Sequence, residues 1–480
     1  MAVFMYDIVI IGAGIVGGSI FRELSKYNLK ILAVEKENDV AMGATKANSA
    51  IIHAGFDPPH GSLMAKYNVA GNKMYKELCE ELDVPYENNG ALVVAFDDKD
   101  LKTIESLFIN GKKNGVPGLS ILSKEETFNK EPNLNKNILG ALYAKSSSII
   151  CPFQYTIALF ENGIVNGGEL LLNKEVTNIK KIENKFLVEI NHRHSLETKF
   201  LINAAGVYAD RIHNMILPNN FSIKPRMGEY ILFNKNQGNL FKSTIFQCPS
   251  ERGKGVLVSK TIHGNLFIGP DAVDIEEKDN TSTNKKGLKY IINMAQKTST
   301  KINFKEPLKN YAGIRSVPST DDFIIKNYDN LKNFVDVSGI KSPGLTCAPA
   351  IAKDVVEILK EAGLNLKENK KFYPLRKQTR FFELSEKEKN ALIKKDCSFG
   401  KIICSCEKIT EGEILDAIKR SFTTPTVCGI KRRCRAGMGK CQGNFCAPII
   451  VDLISKKCKI PKNLVLLDSK NSNILGESIG

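Results

Sequence analysis

Cys404 and Cys406 are separated by one residue, Cys441 and Cys446 by four, and thirty-four residues lie between the two pairs. Thiolates are soft ligands, and four of them on a compact unit hold a metal ion or an iron–sulfur cluster. Zinc suits a thiolate tetrad, but zinc ribbons favour two CxxC-like knuckles, and Cys-x-Cys is tight for one. The loop RAGMGKCQGNFC supplies Gly437, Gly439 and Gly443, which let the chain wrap a site. Cys428 and Cys434 fall in the same stretch and read as bystanders. Cys79 reads as a core residue of an amphipathic helix, and Cys151, Cys248, Cys347, Cys397 and Cys458 show no partner spacing.

Other chemistry stands at the opposite end. YDIVIIGAGIVGG runs from an apolar strand through Gly12, Gly14 and Gly17 into a helical pattern, and a second apolar run, Ile31 to Val34, ends on Glu35. Gly12 permits the tight turn, Gly14 lets the backbone approach a pyrophosphate, and Gly17 lets the helix pack close to the sheet. The helix N-terminus offers N–H groups to phosphate, and Glu35 can accept from a ribose. An acid at this position argues against a 2'-phosphate, but the motif does not choose between FAD and NAD.

Two further segments repeat the theme of small residues after a strand. Phe200 to Ile202 leads to Ala205 and Gly206. Phe334 to Val337 leads to Gly339, Ser342, Pro343, Gly344, Leu345 and Thr346, at the start of a helix carrying Ile351, Val355, Val356 and Ile358. Such a helix N-terminus can stabilise negative charge on a reduced flavin ring. EVTNIKKIENKFLVEI, before them, and GEYILFNK, between them, read as hairpins of an antiparallel sheet, expected to form a substrate domain over the cofactor.

The elements around the thiols are also legible. Thr410 with Glu413 makes a capping box before the apolar face Ile414, Leu415 and Ile418. Thr424 and Pro425 read as the cap and first position of a second helix, and APIIVDLI resumes helix.

The chain has 480 residues, enough for two or three domains, and carries a net charge of +16. The charge is spread along the sequence without interleaved aromatics, so a solvated surface is favoured over a nucleic-acid interface. The dense group Lys431, Arg432, Arg433, Arg435 and Lys440 lies between and beside the cysteines, where it would favour the reduced form of an anionic cluster. No secretory signal and no stretch of about 18 apolar residues is visible, so a reducing cytoplasm is expected.

Residues 5 to about 365 resemble the D-amino-acid-oxidase-like flavoprotein superfamily. Within it they are similar to glycerol-3-phosphate dehydrogenases and L-2-hydroxyglutarate oxidases. The stretches that carry the likeness are GAGIVG, NSAIIHAGFDPPHGSLMAKYNVAGN, PRMGEYILF, HGNLFIGP, YAGIRSVPSTDDFII and GIKSPGLTCAPAIA. KRRCRAGMGKCQGNFC, EGEI and the cysteine spacing resemble the bacterioferritin-associated-ferredoxin-like [2Fe–2S] domain that ends the anaerobic glycerol-3-phosphate dehydrogenase large subunit. The resemblance implies an α/β fold: a Rossmann-type FAD-binding domain with an interleaved antiparallel-sheet substrate domain, then a small helical cluster domain. It implies noncovalent FAD, a [2Fe–2S] cluster on Cys404, Cys406, Cys441 and Cys446, and oxidation of a small anionic hydroxy substrate. His53 in IIHAG is the leading base, with His263 and Lys260 weaker. Arg315 is the expected anion clamp, since a guanidinium grips phosphate or carboxylate by two bonds. His60, His192, His194 and His213 have no supporting context.

The NSAIIHAGFDPPHGS stretch looks closer to the hydroxyglutarate enzymes, whereas the cluster domain points to glycerol 3-phosphate. Glycerol 3-phosphate is the expected substrate and a 2-hydroxy acid the alternative. Other classes are an electron carrier without its own substrate, a tRNA-modifying flavoprotein and an amine oxidase. Expected boundaries are 1–370 for the interleaved domains, 371–399 for a charged connector, 400–456 for the cluster domain and 457–480 for a polar tail. A second flavoprotein or electron-acceptor subunit is expected as partner, and any peripheral membrane association would run through it.

Overall fold

The computed structural model describes residues 5–249 and 255–474. The strand Met5–Ile11 buries Ile8 to Ile11, turns at Gly12 and enters the helix Ile15–Leu24. It pairs in parallel with Ile31–Val34 on one side and His194–Asn203 on the other. The latter pairs in parallel with Leu331–Ser338. The C-terminal ends of these four strands, where Gly12, Glu35, Ala205 and Gly339 stand, therefore share one edge of the sheet. A nucleotide binds outside such an edge in open α/β sheets.

The EVTNIKKIENKFLVEI hairpin forms as expected, with Val176–Ile182 antiparallel to Lys185–Ile190. It joins the nucleotide-binding sheet, however, and not the substrate sheet. Its inner face explains this. Val176, Ile179, Phe186, Val188 and Ile190 are buried in one cluster with Val9, Leu201 and Phe334.

GEYILFNK does lie in the second, mostly antiparallel sheet, which has nine strands among the described residues. The long strands Ile223–Phe233 and Pro307–Pro318 pair antiparallel along their length. Between the sheets, the helix Leu63–Glu81 is capped by Ser62 and packs on the helix Gly344–Glu361. A Cβ on Gly71 would lie 2.0 Å from the Thr346 carbonyl oxygen, so only glycine allows this approach.

The C-terminal unit is a two-stranded ladder, Ile402–Cys404 with Ile409–Thr410, followed by helices Glu411–Lys419, Val427–Cys434 and Ala447–Cys458. The Thr410–Glu413 capping box is present. The next helix is capped by Thr426, two residues beyond the expected Thr424, because the Thr426 hydroxyl accepts from the Gly429 N–H. Ile414, Ile430, Ile450 and Ile454 form its core.

The polar tail is part of this core as far as it is described. Val465 is fully buried there, and the Leu466 and Leu467 carbonyls accept from Val427 and Cys428. Residues 475–480 of the expected tail lie outside the described residues. No helix among the described residues is long and apolar enough to cross a membrane.

Candidate functional site

The glycine turn has the shape of a phosphate cradle. A Cβ on Gly12 would lie 2.5 Å from the Ala204 carbonyl oxygen, and one on Gly17 would lie 2.0 Å from that of Gly12. A Cβ on Gly14 would meet only the Thr45 hydroxyl, at 3.3 Å. The side chain of Thr45 accepts from the Ile15 N–H at 3.0 Å, and no acid stands in the first turn of the helix. The helix N-terminus is thus left electropositive and approachable. Glu35 accepts from Ala13 N–H at 2.7 Å and from Glu37 N–H at 3.0 Å. A carboxylate has about four acceptor sites, so capacity for a ribose remains.

The strand bearing Arg315 borders two of the expected cofactor segments, at Gly206 and Gly339, and the Ala44–Ala47 stretch beside the glycine turn. A Cβ on Gly313 would lie 1.8 Å from the Ala47 carbonyl oxygen, next to Thr45. A Cβ on Gly206 would lie 4.0 Å from the Ser316 hydroxyl, and one on Gly339 would lie 2.7 Å from Pro318. Arg315 itself is half-buried, and its Nη2 donates to the Asp271 carbonyl at 3.1 Å. Burial pushes the Tyr230 phenol up, and hydrogen bonds from Arg315 and Ser49 oppose that shift. Tyr230 stacks on Tyr311 with ring centroids 4.9 Å apart.

His53 is held by its backbone. Its N–H donates to the Thr346 hydroxyl at 2.9 Å, and its carbonyl accepts from Asn68 Nδ2 at 2.7 Å and Asn72 Nδ2 at 3.0 Å. The imidazole stands 5.9 Å from the Phe246 ring, in a cavity also lined by Phe56, Asp57 and Gln247. The weaker candidates are engaged elsewhere. Lys260 pairs with Glu87 at 2.5 Å. His263 contacts Gln154 at 3.0 Å, and burial, then the Arg435 charge, pull its pKa well below the usual range.

The four thiols converge as two pairs. Cys406 and Cys441 have their sulfurs 3.7 Å apart, and Cys404 hydrogen-bonds with Cys446. No group of three or more His, Cys, Asp or Glu side chains among the described residues is arranged to hold one metal ion. Two pairs suit a two-iron centre better than a single zinc tetrahedron. The loop fits an anionic cluster. Gly437 N–H points at Cys404 Sγ at 3.5 Å, and a Cβ on Gly439 would lie 2.2 Å from that of Cys406. The Cys404 thiol is lowered to about 6, first by the Cys446 hydrogen bond, and Cys441 is lowered by the Gly443 N–H. The bystander Cys434 is buried and pushed up to about 12.

A family model of FAD dependent oxidoreductases, DAO, matches residues 7–358. The chain belongs to this family. A second model, the BFD-like [2Fe-2S] binding domain, matches residues 402–456, which hold all four thiols. This oxidoreductase is 48% identical over 472 residues to the glycerol 3-phosphate dehydrogenase of Caloramator mitchellensis, covering 98% of each chain. It is 30% identical to the mitochondrial L-2-hydroxyglutarate dehydrogenase of Dictyostelium discoideum, covering 75% of this chain and 94% of that one. Among solved structures it superposes on the FAD-bound L-alpha-glycerophosphate oxidase of Mycoplasma pneumoniae with a TM-score of 0.75. That pair is 33% identical, and the match covers 78% of this chain and 99% of the other. FAD and a [2Fe-2S] cluster are accordingly its cofactors.

Two residues of the basic group beside the cluster, Arg432 and Arg433, clamp the C-terminal unit to the FAD domain. Arg433 grips Asp39 of the FAD domain by two bonds of 2.7 and 2.8 Å, and Arg432 reaches Asp39 at 3.3 Å and Asp468 of the tail at 2.6 Å. Arg435 pairs with Glu407 at 2.9 Å, and Lys235, two residues beyond the strand Ile223–Phe233, pairs with the same carboxylate at 3.0 Å. Only Lys440 of the group is exposed. Sequence reasoning missed Thr45, Ser49, Tyr230 and Asp39. None has a neighbour pattern that announces it, although Asp39 stands only four residues beyond Glu35.

Proposed function

We propose that this oxidoreductase converts sn-glycerol 3-phosphate to dihydroxyacetone phosphate and releases the electrons through its [2Fe-2S] site. The observation that carries this reading is the similarity to a glycerol 3-phosphate dehydrogenase through 98% of both chains, FAD and cluster modules alike. When bound, FAD supplies an acceptor for the hydride leaving the carbinol carbon, and the cluster supplies a one-electron outlet.

The chain's own groups do the rest. Gly12, Gly14, Gly17 and the helix N-terminus would hold the pyrophosphate, and Glu35 the ribose. Ala205, Gly206 and the run Gly339, Ser342, Pro343, Gly344, Leu345 and Thr346 would flank the ring. Cys404, Cys406, Cys441 and Cys446 would hold the cluster. His53 takes the hydroxyl proton, with its backbone fixed by three hydrogen bonds. Arg315 grips the phosphate, held at the cofactor segments by its strand. Lys260 and His263 remain the weaker proton acceptors, one paired with Glu87 and the other kept neutral by burial.

Residues 1–370 make the FAD and substrate domains, 371–399 the connector, 400–456 the cluster domain and 457–480 the tail. The enzyme works in the cytoplasm and hands electrons to a separate acceptor protein.

A 2-hydroxy acid is the second reading, favoured by the L-2-hydroxyglutarate relative, because a guanidinium grips carboxylate as well as phosphate. Steady-state assays of the holoenzyme with both substrates and an artificial acceptor decide. Turnover of glycerol 3-phosphate with the higher kcat/KM is expected. Preference for L-2-hydroxyglutarate would replace the first reading, and turnover of neither would end both.

A further inference from the structure

The four thiols are unequally covered. Cys404 and Cys446 are 2% and 1% exposed, whereas Cys406 is exposed and Cys441 half-buried. The cluster site therefore meets solvent on its Cys406–Cys441 side. Beside it Phe445 is 80% exposed, more than any other large hydrophobic residue described. Ile449, in the first turn of the helix Ala447–Cys458 that begins two residues after Phe445, is 38% exposed.

Charge frames these apolar groups with one sign. Lys440 is exposed, and Lys456 stands on the Ile449 face two turns further along. The nearby acids are spent. Asp452 pairs with Lys462 at 2.6 Å, and Glu407 is buried between Arg435 and Lys235. An apolar centre with a basic rim suits a partner face that is apolar at its centre and acidic around it.

We propose that Phe445 and Ile449, rimmed by Lys440 and Lys456, form the docking surface for a small acidic one-electron carrier protein. The proposal rests on the reading above that electrons leave through the cluster. Oxidation of one alcohol to a ketone releases two electrons and two protons. Two carrier molecules are each reduced by one electron, and the protons pass to solvent.

The test uses the holoenzyme reduced anaerobically with dithionite and desalted, so that it does not depend on the natural substrate. Rubredoxin serves as the acidic probe, its bleaching is followed by stopped flow, and its binding is measured by calorimetry. Wild type is expected to bind and reduce it at a rate that falls with added salt. Ile449→Glu and Lys456→Glu should each weaken binding and slow reduction by about tenfold or more, with cluster and flavin absorbance and substrate-driven flavin bleaching unchanged.

Variants that bind and reduce rubredoxin like wild type would overturn the proposal, as would a wild type that does neither at low salt. Reduction after dithionite but not after glycerol 3-phosphate would instead condemn the substrate reading alone.

Discussion

Asp39→Asn is the most informative single change. Asp39 is 6% exposed and Arg433 2%, and the pair closes the FAD domain against the cluster domain with two bonds of 2.7 and 2.8 Å. Burial alone would push the Asp39 carboxyl up, but Arg433 and Arg432 outweigh it and hold it below the usual range. An amide keeps the shape and removes the charge, leaving two guanidiniums in a buried site with only Asp468 as counterion. Breaking a buried pair in this way costs about 3–5 kcal/mol. At about 1.4 kcal/mol per tenfold, the docked arrangement should be disfavoured by about two to three and a half powers of ten.

The assay is anaerobic single turnover, following flavin bleaching and cluster reduction separately and normalising to bound FAD and iron. Bleaching by substrate should persist while cluster reduction slows by at least about tenfold, and the segment 371–399 should become sensitive to protease. The double variant Asp39→Leu with Arg433→Met should recover most of the loss, because a buried pair replaced by apolar groups is often neutral. Cluster reduction at the wild-type rate with unchanged protease resistance in Asp39→Asn would refute the clamp.

Three other outcomes are expected. Arg315→Met should raise the KM for glycerol 3-phosphate by about 10- to 100-fold, the loss of charged hydrogen bonds worth about 1.5–3 kcal/mol, with FAD content unchanged; an unaltered KM would remove Arg315 from the anion site. Cys404→Ser should abolish the cluster's absorbance yet spare flavin bleaching, and loss of both would make the cluster a structural element. Glu229 is buried beside Asp271, and burial followed by that neighbour raises its pKa to about 7. A carboxyl raised in the folded state binds a proton more tightly there, so its contribution is present at acid pH and is lost as pH rises through about 7. Thermal melts of Glu229→Gln should therefore show a flatter fall between pH 5 and about 7 than wild type, and an identical slope would count against the assignment.

Much of the molecule was legible because its signals are local. The glycines at 12, 14 and 17, the Thr410–Glu413 box and the cysteine spacing each act within one turn or loop, and short-range sterics dictate what they do. The hairpin at 176–190 was legible as a hairpin but not as a member of its sheet, since alternation records that one face is buried and not against what. The second helix of the cluster domain began two residues late because Thr424 and Thr426 are equally good caps in isolation, and only packing chooses between them.

By itself, then, the sequence determined the nucleotide turn, the thiol set and the class of chemistry, all of which are properties of contiguous residues. Tertiary structure alone decided that the thiols meet as two pairs, that Arg315's strand borders two of the cofactor segments, and that Arg432 and Arg433 serve Asp39 and Asp468 more than the cluster. Those are contacts between segments tens to hundreds of residues apart. A charge in sequence carries no mark of the partner that desolvation will force it to find.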